Sequence, residues 1–151
     1  MTIQIDTREH TRAIEKIVAE FEQQKVNYVY SKMYVGDYCD LANPLLIIDR
    51  KHDIAEIAAN ATSGHARLKR ELKRLDDIDG RMIFLIEQDT IAGKPIESLE
   101  DIILWKPKFG TIMGPQIFKV LDAWRYKHSI DYAFCKRRDT GSEIIRILGE
   151  K

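Results

Sequence analysis

Apolar and polar positions follow two rhythms along this chain, one with a period near two and one near 3.6, and the switches between them mark its elements. Thr2 to Asp6 (TIQID) alternates and ends on an acid, which predicts a strand. Thr11 to Gln24 predicts a helix with Ile14, Ile17, Val18 and Phe21 on one face. Val26 to Tyr30 and Tyr38 to Leu41 read as short strands, and the continuous apolar run Leu45 to Ile48, after Pro44, as a buried one. Asp53 opens a helical stretch carrying Ile54, Ile57, Ala58 and Ala61. A second helix follows from about Thr62 to Ile78 with Leu68, Leu72 and Leu75 at core spacing. Arg81 to Glu87 (RMIFLIE) is the clearest central strand. Pro115 to Tyr126 predicts a helix with Ile117, Val120, Leu121 and Trp124 inward, Ile130 to Cys135 a strand, and Gly141 to Leu148 a closing helix. Between them, Gln88 to Pro115 is punctuated by Gly93, Pro95, Pro107, Gly110 and Gly114 and reads as irregular.

This order predicts an α/β fold, a mixed central β-sheet flanked by α-helices. A small nucleotide-binding domain of that class is excluded by the loop after the first strand. Thr7-Arg8-Glu9-His10 contains neither GxGxxG nor GxxxxGK[ST] to cradle phosphate. The 151 residues suit a single domain over 1–151, and the 44% hydrophobic share is that of a globular protein rather than a disordered one. No apolar run approaches the roughly 20 residues of a membrane span, and Met1 to Glu9 lacks the features of a secretory signal, so a cytoplasmic location is expected. Cys39 and Cys135 belong to no CxxC or Cys/His cluster, which argues against structural zinc. They leave either one disulfide or, as a cytosolic location favours, two buried thiols. Twenty-four Lys and Arg balance 24 Asp and Glu, and that zero sum at first argues against a nucleic-acid partner.

Four residues carry candidate chemistry. Asp6 closes the first strand, Asp37 sits in the turn Gly36-Asp37-Tyr38, and Asp49 closes the apolar strand. Lys51 follows Asp49 by two positions, so in an extended chain the two share a face and Arg50 takes the other. Carboxylates of this kind hold Mg²⁺ together with substrate phosphate, and a neighbouring lysine can orient water and offset charge on the phosphate. On spacing alone, the same acids and lysine suit a solvated, charged rim better than a metal site.

Further residues extend this pattern. Val35-Gly36-Asp37-Tyr38 followed by Asp49-Arg50-Lys51, with eleven residues between Asp37 and Asp49, resembles the GD…ERK signature of the XPF-type structure-specific endonucleases. Ile5-Asp6-Thr7-Arg8-Glu9 resembles the family's first motif, and Arg67-Leu68-Lys69-Arg70-Glu71 its RLxxQ helix. Arg81 to Glu87 and Tyr132 to Leu148 are similar to its following strand and its last strand and helix, so the resemblance spans nearly the whole chain apart from about Gln88 to Gly114. It looks most like the short, stand-alone versions of bacteria and their phages. The resemblance implies a restriction-endonuclease-like fold and Mg²⁺-dependent cleavage of DNA, with Mn²⁺ substituting. The preferred DNA would be branched, such as flaps, forks or junctions, in repair or recombination. It matches Asp6, Arg8, Glu9, Asp37, Asp49, Arg50 and Lys51 to active-site positions, with Asp6, Asp37 and Asp49 as metal ligands, and implies pairing into a homodimer. Three positions depart from the pattern: Asp49 replaces the glutamate of ERK, Ala55 stands where the family has an acid, with Asp53 and Glu56 beside it, and Glu71 replaces the glutamine. The family's C-terminal helix-hairpin-helix module has no counterpart in these residues. The shortened acid and Ala55 keep open a non-catalytic DNA-binding module or partner subunit on the same fold.

The charge balance changes meaning beside these motifs. Five of the eight residues from Arg67 to Arg74 are Lys or Arg, and at about 100° per residue Arg67, Arg70 and Arg74 share a face away from the leucines. With Lys69, they are expected to contact DNA phosphates rather than merely solvate a helix. Lys106-Pro107-Lys108 and Lys136-Arg137-Arg138 are smaller basic clusters that suit solvated loops. His52 and His65 suit solvent, Trp124 suits the core, and Trp105 suits either a stacked base or a core edge.

Overall fold

The computed structural model describes residues 1–150. A six-stranded sheet is built from β1 (Thr2–Ile5), β2 (Asn27–Tyr30), β3 (Tyr38–Asp40), β4 (Asn43–Lys51), β5 (Arg81–Ile86) and β8 (Ile130–Phe134), in the order β2-β1-β3-β4-β5-β8. The β1–β3 and β3–β4 pairs are antiparallel, whereas β1–β2, β4–β5 and β5–β8 are parallel. The sheet is therefore mixed, as the alternating elements predict. The helices are α1 (Glu15–Gln23), α2 (Ile54–Ala61), α3 (His65–Asp77), α4 (Gly114–Lys127) and α5 (Thr140–Gly149). No helix among the described residues is long and apolar enough to cross a membrane.

Side-chain alternation along the strands divides the core into two clusters, one on each face of the sheet. Ile47, Met82, Phe84 and Ile86 pack with Ile54, Ile57 and Ala58 of α2, Leu68, Leu72 and Leu75 of α3, and Ile117, Leu121 and Trp124 of α4. Ile3, Ile5, Ile48, Ile83 and Leu85 pack with Ile17 and Phe21 of α1 and Ile144, Ile147 and Leu148 of α5. Trp124 is core, as expected, with its ring centroid 6.2 Å from that of Phe84. Cys39 and Cys135 are buried free thiols in different clusters, so the sheet itself keeps a disulfide from forming.

Several boundaries differ from the sequence reading. Strand β4 begins earlier and reaches Lys51, and Leu45 is 47% exposed because it lies outside the shielded centre of the sheet. Helix α1 starts only at Glu15, after turns at 11–14 that lack a side-chain cap. The segment from Gln88 to Pro115 is not wholly irregular. It contains a two-strand hairpin of β6 (Thr90–Ile91) and β7 (Lys94–Pro95), turned by Ala92 and Gly93 at φ 52 and 78, and a 3-10 helix over Leu99–Leu104. Elements this short carry too few residues to display a period. An Ala-Gly turn lacks the usual Asn-Gly signal.

Candidate active site

The antiparallel β3–β4 pair creates the site. Tyr38 lies opposite Ile48, so Asp37, just before β3, sits beside the end of β4 where Asp49 emerges. Two backbone-anchored bonds fix the approach: Asp37 N–H donates to Ile48 O at 2.9 Å, and Arg50 N–H donates to Asp37 Oδ2 at 2.7 Å. Gly36 makes this turn possible. Its φ is +78, and a Cβ there would lie 2.2 Å from Ile47 Cγ2.

Lys51 shares the face of Asp49, as the alternation predicts. Its Nζ is 3.1 Å from Asp49 Oδ1 and 5.6 Å from the Phe84 ring centroid. Burial alone would lower the Lys51 pKa, but the charge and hydrogen bond of Asp49 outweigh it, with Glu56 and Asp37 adding, and hold it above the ordinary value. Asp37 shifts the other way for a carboxylate. Burial, then the negative charges of Asp49 and Glu9, push it well above the ordinary range despite the Arg50 N–H and Lys51.

Arg50 points to the opposite face. Its Nη2 lies 2.9 Å from Glu9 Oε2 and its Nη1 2.7 Å from Glu87 Oε1. Tyr38 OH donates to the same Glu9 oxygen at 3.1 Å, and Thr140 Oγ1 donates to Glu87 Oε2 at 2.6 Å. Arg50 and Glu9 thus form a brace through the sheet edge to α5. The Arg50 guanidinium is occupied by two carboxylates, an arrangement that braces the acids. Glu87 went unnoticed in the sequence. The signal was present: like Asp6 and Asp49, it is an acid at the end of an apolar strand.

Asp6 does not join the carboxylate pair. It is fully buried and accepts from Met33 N–H at 2.7 Å and from Arg8 N–H and Nε at 3.1 and 2.6 Å. Burial, which raises its pKa, is outweighed by Arg8 and these backbone donors, so it lies below the ordinary value. Its expected place as a metal ligand is not supported, because its oxygens are taken up by this loop. Arg8 leaves 51% of its side chain exposed and lines the cleft.

The cleft, 520 Å³ in volume, is walled by Arg8, Glu9, Asp37, Asp49, Lys51 and Glu56, with Arg67 and Glu71 from α3. Of the four basic residues expected to contact DNA, only Arg67 reaches it. Lys69 and Arg70 are exposed elsewhere on α3, and Arg74 is half-buried further along. Glu71 stands among Asp49, Lys51, Arg67 and Arg8. Burial and the charge of Asp49 push its pKa up, against Lys51, Arg67 and Arg8. Around Ala55 the two flanking acids separate. Asp53 caps α2, its Oδ1 accepting from Glu56 N–H at 2.8 Å, while Glu56 lines the cleft and its Oε2 accepts from His52 N–H at 3.1 Å.

The donor chemistry fits a hard divalent cation. Two carboxylates with like charge acting on one another face a polar cleft, and oxygen donors of this kind suit Mg²⁺. Among the described residues no group of three or more His, Cys, Asp or Glu is arranged to hold a metal, so a cation here would draw, among side chains, on the Asp37 and Asp49 pair alone. The remaining positions would fall to water, backbone carbonyls and phosphate. The buried Asn60 Oδ1, also in the cleft wall, has no hydrogen-bond partner, which again suits a polar occupant.

Solved structures share this architecture. XPF from Aeropyrum pernix aligns with TM-score 0.70 at 17% identity, over 98% of this chain and 63% of that one. The same protein in complex with DNA aligns with TM-score 0.66 at 15% identity, again over 98% and 63%. At these identities the likeness shows the fold, and the chain spans less than two thirds of the proteins it matches. A comparison with curated protein sequences gives no significant match. The sequence itself, from residue 5 to residue 148, matches the family model of the ERCC4 domain, and the chain belongs to that family.

Proposed function

We propose that this protein is an XPF-type endonuclease that hydrolyses DNA phosphodiester bonds with Mg²⁺, or Mn²⁺ in its place. The observation that carries this reading is the convergence of Asp37 and Asp49 on one face of the sheet, beside the buried Lys51, in a cleft edged by Arg8 and Arg67. Asp37 and Asp49 would hold the cation. When bound, such an ion lowers the pKa of water and polarises the phosphoryl oxygen. Lys51 sets its ammonium within reach of the attacking water and offsets charge building on the phosphate. Arg8 and Arg67 seat the phosphodiester backbone at the two sides of the cleft. Water adds to phosphorus, one P–O ester bond breaks, and the leaving sugar oxygen takes up a proton. Glu9, Arg50 and Glu87 hold the strand end that carries Asp49 and Lys51. Asp6 anchors the Arg8 loop, and Glu56 takes the side of the cleft nearest Ala55.

Branched DNA and a homodimer are part of this reading, supported by the resemblance. The test is cleavage of labelled flap, fork, junction, duplex and single-stranded DNA with Mg²⁺ and with EDTA. Wild type should cut with Mg²⁺, while Asp49→Asn and Lys51→Ala should not. Salt-sensitive DNA binding without any cutting would replace this reading with a non-catalytic module. Sedimentation over a range of concentrations tests the dimer.

A further inference from the structure

A second cavity, 680 Å³ in volume, lies against a different side of α2 from the cleft. The cleft uses His52, Glu56, Asn60 and Gly64, spaced by four and so on one stripe of the helical segment. The second cavity uses Ala55, Ala58, Ala59 and Thr62, on the adjoining stripe. Its opposite wall is the 105–112 segment. The ends of that loop are held together, with Trp105 N–H donating to Ile102 O at 2.9 Å and Gly114 N–H to Trp105 O at 3.0 Å. Gly114 fits only because it lacks a side chain, since a Cβ would lie 2.2 Å from Ile102 O. At the tip, before Gly110 at φ +91, Phe109 is 90% exposed. Lys106 and Lys108 precede it, both exposed, and Trp105 is half-buried at the base of the loop.

An exposed phenylalanine on an anchored loop forgoes the stabilisation of burial. Aromatic rings alternating with cations match the flat faces and phosphates of unpaired nucleotides. The cavity volume lies in the range of small-molecule sites, and Thr62, Ser63, Gln88 and Thr111 add polar groups for base edges. The acid in its lining, Asp53, is engaged in capping α2. A second copy of the chain docked face to face would bring these lysines against their own counterparts, which disfavours self-association here.

We propose that the cavity between α2 and the Phe109 loop is a subsite for unpaired DNA, where a base stacks on Phe109 and Trp105 and Lys106 and Lys108 meet the flanking phosphates. This rests on the nuclease reading of the neighbouring cleft. One helix separates the two, so a strand cut in the cleft can continue over α2 into the subsite.

The experiment uses the full chain in EDTA with a short oligothymidylate carrying one 2-aminopurine, whose fluorescence falls on stacking. Phe109→Ala should weaken binding by about fivefold or more, the scale of one lost base–aromatic stack. Lys106→Gln with Lys108→Gln should weaken binding and flatten its salt dependence, and neither change should alter duplex affinity or the melting temperature. Unchanged single-strand binding in Phe109→Ala overturns the subsite, as does a dimer that this variant converts to a monomer. If wild type cuts DNA but single-strand binding ignores Phe109, the subsite is wrong and the nuclease reading stands. If Phe109-dependent binding is seen and no cutting occurs with Mg²⁺, the subsite stands and the nuclease reading falls.

Discussion

Nη1 of Arg50 lies 2.7 Å from Oε1 of Glu87, and this contact ties the strand of the carboxylate pair to the next strand of the sheet. Both side chains are well shielded, with 16% of Arg50 and 3% of Glu87 exposed. Leaving a buried charge unpaired costs about 3–5 kcal/mol, and because Arg50 keeps Glu9, the loss of Glu87 falls toward the lower end of that range. Glu87→Ala should therefore lower stability by that order in urea denaturation. Glu87→Gln should lose less, because its amide oxygen can still accept from Arg50, while Thr140 Oγ1, which also donates to Arg137 O, can accept from the amide NH2.

Gly36→Ala should impair folding and cutting together. The left-handed backbone costs about 1–3 kcal/mol for a residue with a side chain. The overlap with Ile47 adds to this by displacing the turn that positions Asp37. Thermal melting and a cleavage assay should change in step. A stable, fully active Gly36→Ala variant would contradict the assigned geometry of Asp37.

Asp6 should govern acid stability rather than metal affinity. Its pKa in the folded protein lies below the ordinary carboxylate value. The stabilisation it gives is present above the unfolded value, about 3.9, and is lost as pH falls from there through the folded value. Asp6→Asn should lower stability at neutral pH and flatten the acid limb of the stability curve. Titration calorimetry with Mn²⁺ should show near wild-type affinity in Asp6→Asn, and loss of binding in Asp37→Asn.

The basic residues of α3 should differ in consequence. Arg67→Ala should weaken DNA binding and reduce the slope of log affinity against log salt by about 1, as one phosphate contact is lost. Arg70→Ala, whose side chain lies away from the cleft, should change both much less. Equal effects of the two would show that the DNA path follows the whole helix.

The legible part of this protein was its strand ends. TIQID, LLIID and RMIFLIE each set an acid where an apolar run stops, and period two assigned Asp49 and Lys51 to one face with Arg50 on the other. The leucine stripe of α3 read correctly for the same reason. What stayed hidden depended on partners distant in sequence. Asp6 offers the same local pattern as Asp49, and only the approach of Met33 and the fold-back of Arg8 consume its oxygens. What separates Asp53 from Glu56 is that Asp53 caps α2, a difference of three residues or nearly one helical turn. Phe109 sat in a segment with no period at all. Its exposure follows from Trp105 and Gly114 closing the loop behind it.

The division of labour across β4 makes strand register a condition of chemistry. Asp49, Arg50 and Lys51 pair in sequence with Phe84, Leu85 and Ile86. A slip of one residue would exchange the two faces of β4, taking Arg50 away from Glu9 and Glu87 and bringing the Asp49 carboxylate toward them, acid against acid. The misregistered sheet would thus both lose the Asp49–Lys51 pair from its place and be electrostatically frustrated. A chain that folds with its charges satisfied has, by the same event, assembled the Asp49 and Lys51 face of the cleft, so the brace acts as a proofreader of the sheet.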